Sequence, residues 1–545
     1  MKKLHNPILP GFNPDPSICR RGDDYYIAVS SFEWFPGVPV YHSKDMKNWN
    51  LITHCLKSEQ SADLRRLPSA KGVWAPCLTW CEKDGLFYLA YTIMNSMNAR
   101  YFDLDNYLIT APDICGPWSA PVYLHSAGFD PSILHDKNGR KWVVSLEWET
   151  RDGYHKPGSI CVVEYEPRKK EILGFPKRIW EGGTRRGCIE GPHLYQRNGY
   201  YYLMCAEGGT GYGHSVTVGR SQDIFGPYES DPHNPILTST ADFDEMDHDD
   251  YLKPERFNPH SYLQKSGHGS IVETSLGEWY LVHHCGRPFL PELRCTLGRE
   301  TCMQKMVWTE DGWLRMSGAI NLAQEYFESS ALPEMKETVA DTYYRFDRPV
   351  MPVSLYSPRI DSQSFCSLGE RPGYLRIRGQ ESFSSLNKVS LVARKLTSLH
   401  VSVETKMDFA PQVYQHYAGL MIYYDNMDYI LLRKTYSEKT SREVIDLLRV
   451  KSGERIELLP EQVPVEKGGI YFKIKIQARD TTFYWSMDGK AYQRIGDIYD
   501  TSEFSDEFCK AGEFTGTFVG MGCVDAMLHQ ECADFEFFDY REEER

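Results

Sequence analysis

Apolar and aromatic residues in this chain come in short runs broken by turns, not at the three- and four-residue spacing of amphipathic helices. Five such runs follow a turn glycine: Gly22-Asp23-Asp24-Tyr25-Tyr26-Ile27, Gly85-Leu86-Phe87-Tyr88-Leu89, Gly139-Arg140-Lys141-Trp142-Val143-Val144, Gly199-Tyr200-Tyr201-Tyr202-Leu203 and Gly277-Glu278-Trp279-Tyr280-Leu281. Three of these glycines follow Asp84, Asn138 and Asn198. Asp-Gly and Asn-Gly are strong hairpin signals because these residues tolerate the positive φ of a tight turn. Further strand-like runs follow each hairpin, as in Val40-Tyr41-His42-Ser43, Tyr107-Leu108-Ile109-Thr110 and Ser215-Val216-Thr217-Val218-Gly219. Gly116-Pro117-Trp118 and Gly226-Pro227-Tyr228 close two of them. Each interval between hairpins has room for four antiparallel strands, so residues 1–325 are predicted to form a five-bladed β-propeller, a ring that leaves few open sheet edges.

The repeat stops near residue 325. Residues 326–335 read as a linker. Residues 336–545 carry alternating strands instead, among them Tyr374-Leu375-Arg376-Ile377-Arg378, Val401-Ser402-Val403-Glu404-Thr405, Ala418-Gly419-Leu420-Met421-Ile422-Tyr423-Tyr424 and Phe472-Lys473-Ile474-Lys475-Ile476. Short antiparallel strands at this spacing predict a β-sandwich, which makes the whole chain all-β. A length of 545 residues agrees with two domains.

The repeat also aligns polar residues. Asp130, Glu190 and His268 each lie nine positions before a turn glycine, at Gly139, Gly199 and Gly277, and Asp15 lies seven before Gly22. Trp74-Ala75-Pro76 fills the matching place in the second unit. Equivalent positions on the inner strands of a propeller face one axis, so Asp15, Trp74, Asp130, Glu190 and His268 should ring one end of the channel. Taken singly, Asp before Pro caps a turn. Three acids at matched offsets point to shared chemistry. Two carboxyls, one protonated and one ionised, are what glycosidic cleavage needs, and a third raises the pKa of the acid by like-charge repulsion. Arg294 and Arg299 follow the fifth hairpin and either bind the cluster or form a structural salt bridge. Phe32 and Trp74 are either sugar platforms or core. His268 is either a structural residue or a channel group that binds water or a cation.

The formal net charge of −14 disfavours nucleic acid and anionic membranes as partners and suits a neutral ligand. No run approaches the length of a membrane helix, and the two lysines at the start precede no apolar stretch, so no secretory leader is expected. Fifteen cysteines with no Cys-x-x-Cys pair read as reduced thiols of a cytoplasmic protein. No cofactor is required by this chemistry. A structural Ca²⁺ near His268 is conceivable, but no oxygen-ligand cluster supports one.

Several of these stretches resemble the β-xylosidases of glycoside hydrolase family 43. They are residues 6–17, from Asn6-Pro7-Ile8 to Asp15-Pro16-Ser17, then Gly128-Phe129-Asp130-Pro131-Ser132, Ile189-Glu190-Gly191-Pro192-His193, Leu297-Gly298-Arg299-Glu300-Thr301 and Glu513-Phe514-Thr515-Gly516-Thr517-Phe518-Val519-Gly520. The resemblance implies a propeller followed by a concanavalin-like sandwich that closes the active site. It implies an inverting hydrolase that releases xylose from the non-reducing ends of short β-1,4-xylo-oligosaccharides. Asp15 would be the general base, Glu190 the general acid and Asp130 the group that tunes and orients Glu190. Arg299 would contact substrate or support Asp15, Phe32 and Trp74 would line the subsite of the cleaved sugar, and either Phe514 or Phe518 would reach the pocket. A homodimer or homotetramer is also implied. An α-L-arabinofuranoside substrate, or sugar binding without catalysis, are the competing readings. Residues 239–262 are longer and more acidic than the family pattern leads one to expect.

Overall fold

Each predicted hairpin supplies the first two strands of a four-stranded antiparallel meander. We describe the computed structural model of the chain over residues 2–151, 158–240, 252–318, 320–329, 342–509, 511 and 514–543. The five sheets start with Ser17–Arg21, Gly72–Cys81, Ser132–His135, Glu190–Arg197 and Gln264–Glu273, each paired to the strand that follows it. These first strands touch one another in cyclic order, so they form the inner wall of a five-bladed propeller. The fourth blade carries one extra strand, Leu237–Thr238, on Ser215–Ser221.

Tyr326–Ser329, expected as the start of a linker, is instead a strand antiparallel to Lys2–His5. Both ends of the propeller stretch have unpaired backbone groups to satisfy, and each satisfies the other's. The side chain of Asn6 then clamps the chain to the fifth blade, donating from Nδ2 to Met303 O and accepting from Met303 N, both at 2.8 Å. The rest of the expected linker, 330–335, lies outside the described residues.

The second domain is a sandwich of two antiparallel sheets. One has eight strands and contains His400–Asp408 and Ile470–Gln477. Their buried residues alternate with partly exposed ones, as expected of a sheet with one wet face. The other sheet has seven strands, and its central strands His416–Asp425 and Phe518–Asp525 are buried on both faces. Leu420, Ile422 and Met521 pack inside the sandwich. Met421, Tyr423 and Phe518 turn the other way into a cluster shared with Phe12, Phe32 and Trp34 of the propeller. That is why Ala418 to Tyr424 reads as a continuous apolar run and not an alternating one. A short strand pairing crosses the junction as well, Ser357–Pro358 on Trp34–Phe35. The sandwich therefore covers the propeller face at which the Asp15 segment begins.

All fifteen cysteines are free thiols. Among the described residues no helix is long and apolar enough to cross a membrane.

Candidate active site

The inner strands carry a left-handed residue at the mouth of the channel: Asp15 (φ 52°), Ala75 (39°), Asp130 (56°), Gly191 (56°) and His268 (54°). Left-handed backbone costs a side-chain-bearing residue free energy, and Asp tolerates it better than most. Register shifts break the ladders around Ala75, Gly191 and His268. Such bulges re-aim side chains, here toward the axis. The strict nine-residue alignment therefore slips by one in the fourth blade. Gly191 holds the position equivalent to Asp130 and His268, and Glu190 enters from the residue before it. Gly191 has a second reason to be glycine, because a Cβ there would lie 3.0 Å from the His268 ring.

All five expected ring residues, Asp15, Trp74, Asp130, Glu190 and His268, line one pocket of about 240 Å³. Phe32, Arg299, His284 and Phe514 line it too. Trp74 is fixed by a hydrogen bond from its ring N–H to Ala70 O (2.9 Å), and Phe32, Phe129 and Phe514 surround its ring at centroid distances of 6.1, 5.8 and 6.2 Å. The wall thus offers flat apolar faces beside a few carboxyls, the usual make-up of a sugar site.

The three carboxyls sit in different surroundings. Asp15 Oδ2 accepts a hydrogen bond from the Ser30 hydroxyl (2.7 Å), and Oδ1 pairs with His284 Nδ1 (3.1 Å). His268 Nδ1 lies 3.8 Å from the same oxygen. Burial alone would raise the pKa of this carboxyl. The hydrogen bond and electrostatic pull of His284, with His268 and Ser30, outweigh it and hold Asp15 well below the usual carboxylate range. Burial pushes the His284 imidazole down to about 4, so at neutral pH it is an uncharged donor to an ionised Asp15.

Glu190 is the opposite case. Its Oε1 is buried and makes no hydrogen bond. Burial, then repulsion from Asp130 and Asp15, push its carboxyl well above the ordinary range, and Arg299 opposes this only in part. Asp130 lies between the two extremes. Burial pushes it up to about 6, His268 and the Gly191 N–H pull it down, and Asp15 pushes it up. That N–H donates to Asp130 Oδ2 at 2.9 Å, which ties Asp130 to the backbone immediately after Glu190. The surroundings of these carboxyls thus push their pKa values apart, Asp15 downward and Glu190 upward.

The remaining expected residues divide. Arg299 is in the wall, donating to Thr210 O (2.9 Å) and stacking its guanidinium 4.6 Å from the Phe514 ring. Arg294 does not line the pocket. Its guanidinium bonds Ser502 Oγ (3.1 Å) and covers Phe508, so it is a domain-junction residue. Phe514 reaches the pocket, while Phe518 is stacked on Trp34 at 3.6 Å in the junction core. Strand alternation explains the choice, since Phe518–Asp525 has already begun at Phe518 and Phe514 stands on the loop before it. Of residues 239–262, positions 241–251 lie outside the described residues. Among the described residues, no group of three or more His, Cys, Asp or Glu is placed to hold a metal ion, so His268 has no such cluster around it.

Sequence reasoning missed Ser30 and His284. His284 belongs to the strand Trp279–Gly286, where His283-His284 interrupts an apolar run, and that was the available signal. Ser30 in Ser30-Ser31 offered none.

Comparison with known proteins gives the site a family. Residues 4–314 match the model described as glycosyl hydrolases family 43, and residues 344–541 match the β-xylosidase C-terminal concanavalin A-like domain. The chain is similar to a β-xylosidase of Bacillus subtilis (strain 168), 39% identical over 99% of this chain and 100% of that one. It is also similar to xylosidase/arabinosidase 43B of Humicola insolens, 38% identical over 99% and 98%. The crystal structure of a xylan β-1,4-xylosidase from Bacillus halodurans C-125 superposes with a TM-score of 0.93, at 44% identity over 99% of this chain and 100% of that one. With matching models for both domains and relatives aligned end to end, the chain belongs to glycoside hydrolase family 43.

Proposed function

We propose that the protein is an inverting exo-β-xylosidase that removes D-xylose from the non-reducing ends of short β-1,4-xylo-oligosaccharides. The observation that carries this is the opposed state of two carboxyls in one pocket: Asp15 is supplied with donors, and Glu190 has none on Oε1. Asp15 is the general base. It takes a proton from a water as that water attacks the anomeric carbon. Glu190 is the general acid. It passes its proton to the glycosidic oxygen as that bond breaks. Asp130 keeps Glu190 protonated by its negative charge and orients it through Gly191 N–H. Similarity to proteins named β-xylosidase supports the substrate, and the aromatic wall capped by Phe514 from the second domain supports action on a chain end.

Hydrolysis of xylobiose, followed by NMR before the product mutarotates, tests the reading. Initial α-xylose is expected. Initial β-xylose would mean retention and make the Asp15 role that of a nucleophile, for which a carboxyl separation of roughly 5–5.5 Å is usual, against about 6.5–9.5 Å for inversion. A second reading, hydrolysis of α-L-arabinofuranosides at the same site, is favoured by the relative whose name joins both activities. Release of arabinose without xylose would make it the primary one.

A further inference from the structure

The sandwich domain sends one segment to the wall of this pocket and a second to the residues behind that wall. One carries Phe514. The other, residues 501–509, presents Asp506 and Glu507 to the fifth blade. Asp506 Oδ2 lies 3.1 Å from Arg299 Nη2 and 3.4 Å from Lys265 Nζ, and Oδ1 accepts a hydrogen bond from the Tyr424 hydroxyl at 3.1 Å. Glu507 takes a hydrogen bond from Lys265 Nζ (2.5 Å) on one oxygen and from Cys295 N–H (2.9 Å) on the other. Arg299, Lys265 and Asp506 are each less than 5% exposed. Two cations of the propeller are therefore buried against two carboxylates of the sandwich, with Arg299 at the pocket end of the cluster. A buried charge deprived of its partner is expensive and acts at full strength on its neighbours.

The groups around Glu190 fix the sign of that action. Asp15 comes from the first blade, Asp130 from the third, and Arg299, His268 and His284 from the fifth. The Cys188 thiol precedes it on its own segment, with Lys253 beyond. Behind Arg299 stand Asp506, Glu507, Lys265 and the His214 ring, which burial holds uncharged. Among the described residues of the pocket lining Arg299 is the permanent cation, so whatever balances Arg299 governs how strongly Glu190 is drawn toward ionisation.

We propose that Asp506 is a positioning residue of the active site: from the second domain it holds the Arg299 guanidinium against the pocket wall and balances its charge where Glu190 faces it. The inference rests on the reading of Glu190 as general acid. It makes the second domain part of the electrostatics of catalysis as well as a cover.

The test is the pH dependence of kcat/KM on xylobiose, whose basic limb reports the acid of the free enzyme. Asp506→Asn leaves Arg299 and Lys265 in excess. The positive charge favours ionised Glu190, so the basic limb moves to lower pH by about one unit, the order that one uncompensated buried charge imposes on a neighbour. Lys265→Met leaves the carboxylates in excess and moves the same limb to higher pH. The double variant returns toward the parent. A purely structural role predicts lower amounts of folded enzyme with the limb in place in all three, and that result overturns the proposal. Calorimetric titration with D-xylose counts the folded sites. Should Asp506→Asn not accumulate as folded protein, the upward shift in Lys265→Met decides alone, and its absence overturns the proposal equally. Glu190→Gln separates the two levels: retained activity sinks the acid assignment itself, whereas an inactive Glu190→Gln beside an unmoved limb in Asp506→Asn sinks only the role of Asp506.

Discussion

Two corners of one pocket hold the same functional group in opposite surroundings. At the Asp15 corner a carboxylate accepts hydrogen bonds from Ser30 and His284, with His268 near by. At the Glu190 corner a carboxyl faces Asp130 and Asp15, with one buried oxygen left unbonded. The Asp15 side chain is 15% exposed and Glu190 is 9% exposed, so burial alone does not separate them. The difference lies in the donors and like charges that other segments bring, and it moves the two pKa values in opposite directions.

Removing either carboxyl should have the largest effect. Asp15→Ala and Glu190→Ala are each expected to lower kcat on xylobiose by about 10²–10⁴-fold or more. An aryl xyloside with a good leaving group then tells the corners apart. Such a group departs with little help from an acid, so Glu190→Ala should regain much of its rate and Asp15→Ala should not. Equal losses on both substrates in both variants would abolish the distinction.

Asp130→Asn comes next, at about 10–100-fold in kcat/KM. It deletes a negative charge that raises Glu190, so the acid ionises more readily and the basic limb of the pH profile moves down. A limb that stays put would remove Asp130 from the tuning role.

Ser30→Ala probes the other corner more gently. One hydrogen bond to an ionised group is lost, worth about 1.5 kcal/mol or roughly tenfold in kcat/KM. Because that bond favours the charged form, its loss raises the Asp15 pKa and moves the acidic limb to higher pH while leaving the basic limb alone. Movement of both limbs together would mean that the corners are not independent.

The smallest effect on chemistry is expected for Phe514→Ala, a rise in KM of less than about tenfold with kcat nearly kept, since the ring meets Trp74 and Arg299 and no reacting proton. Phe518→Ala should instead lower stability by about 3–5 kcal/mol, because that ring is buried on Trp34. Thermal unfolding together with steady-state kinetics checks the pair. The reverse assignment would place Phe518 at the sugar.

Much of this was open to reading along the chain. The hairpin signals at Gly85, Gly139 and Gly199 each sit at the turn between the first two strands of a blade. The repeat brought Asp15, Asp130, Glu190, Trp74 and His268 together before any coordinates. Other features were not legible. Arg294 and Arg299 lie five positions apart in a similar setting, yet one turns to the domain junction and the other to the pocket. Tyr326–Ser329 looked like a linker because its partner, Lys2–His5, lies at the far end of the propeller sequence. The slip that puts Gly191 in the place of an acid is a bulge, and a bulge leaves no mark on composition.

The sequence by itself determined the all-β class, the number of blades, the second domain and the meeting of three carboxyls. Turn chemistry and hydrophobic period act over a few residues, and a closed ring repeats whatever one unit specifies. Only the tertiary structure decided which carboxyl is held low in pKa and which is pushed up, which phenylalanine reaches the pocket and which acid pairs with Arg299. The partners that settle those matters lie far off along the chain, His284 being 269 residues from Asp15 and Asp506 belonging to another domain. Electrostatic free energy depends on distance through space and on burial, and neither quantity is written in the order of the residues.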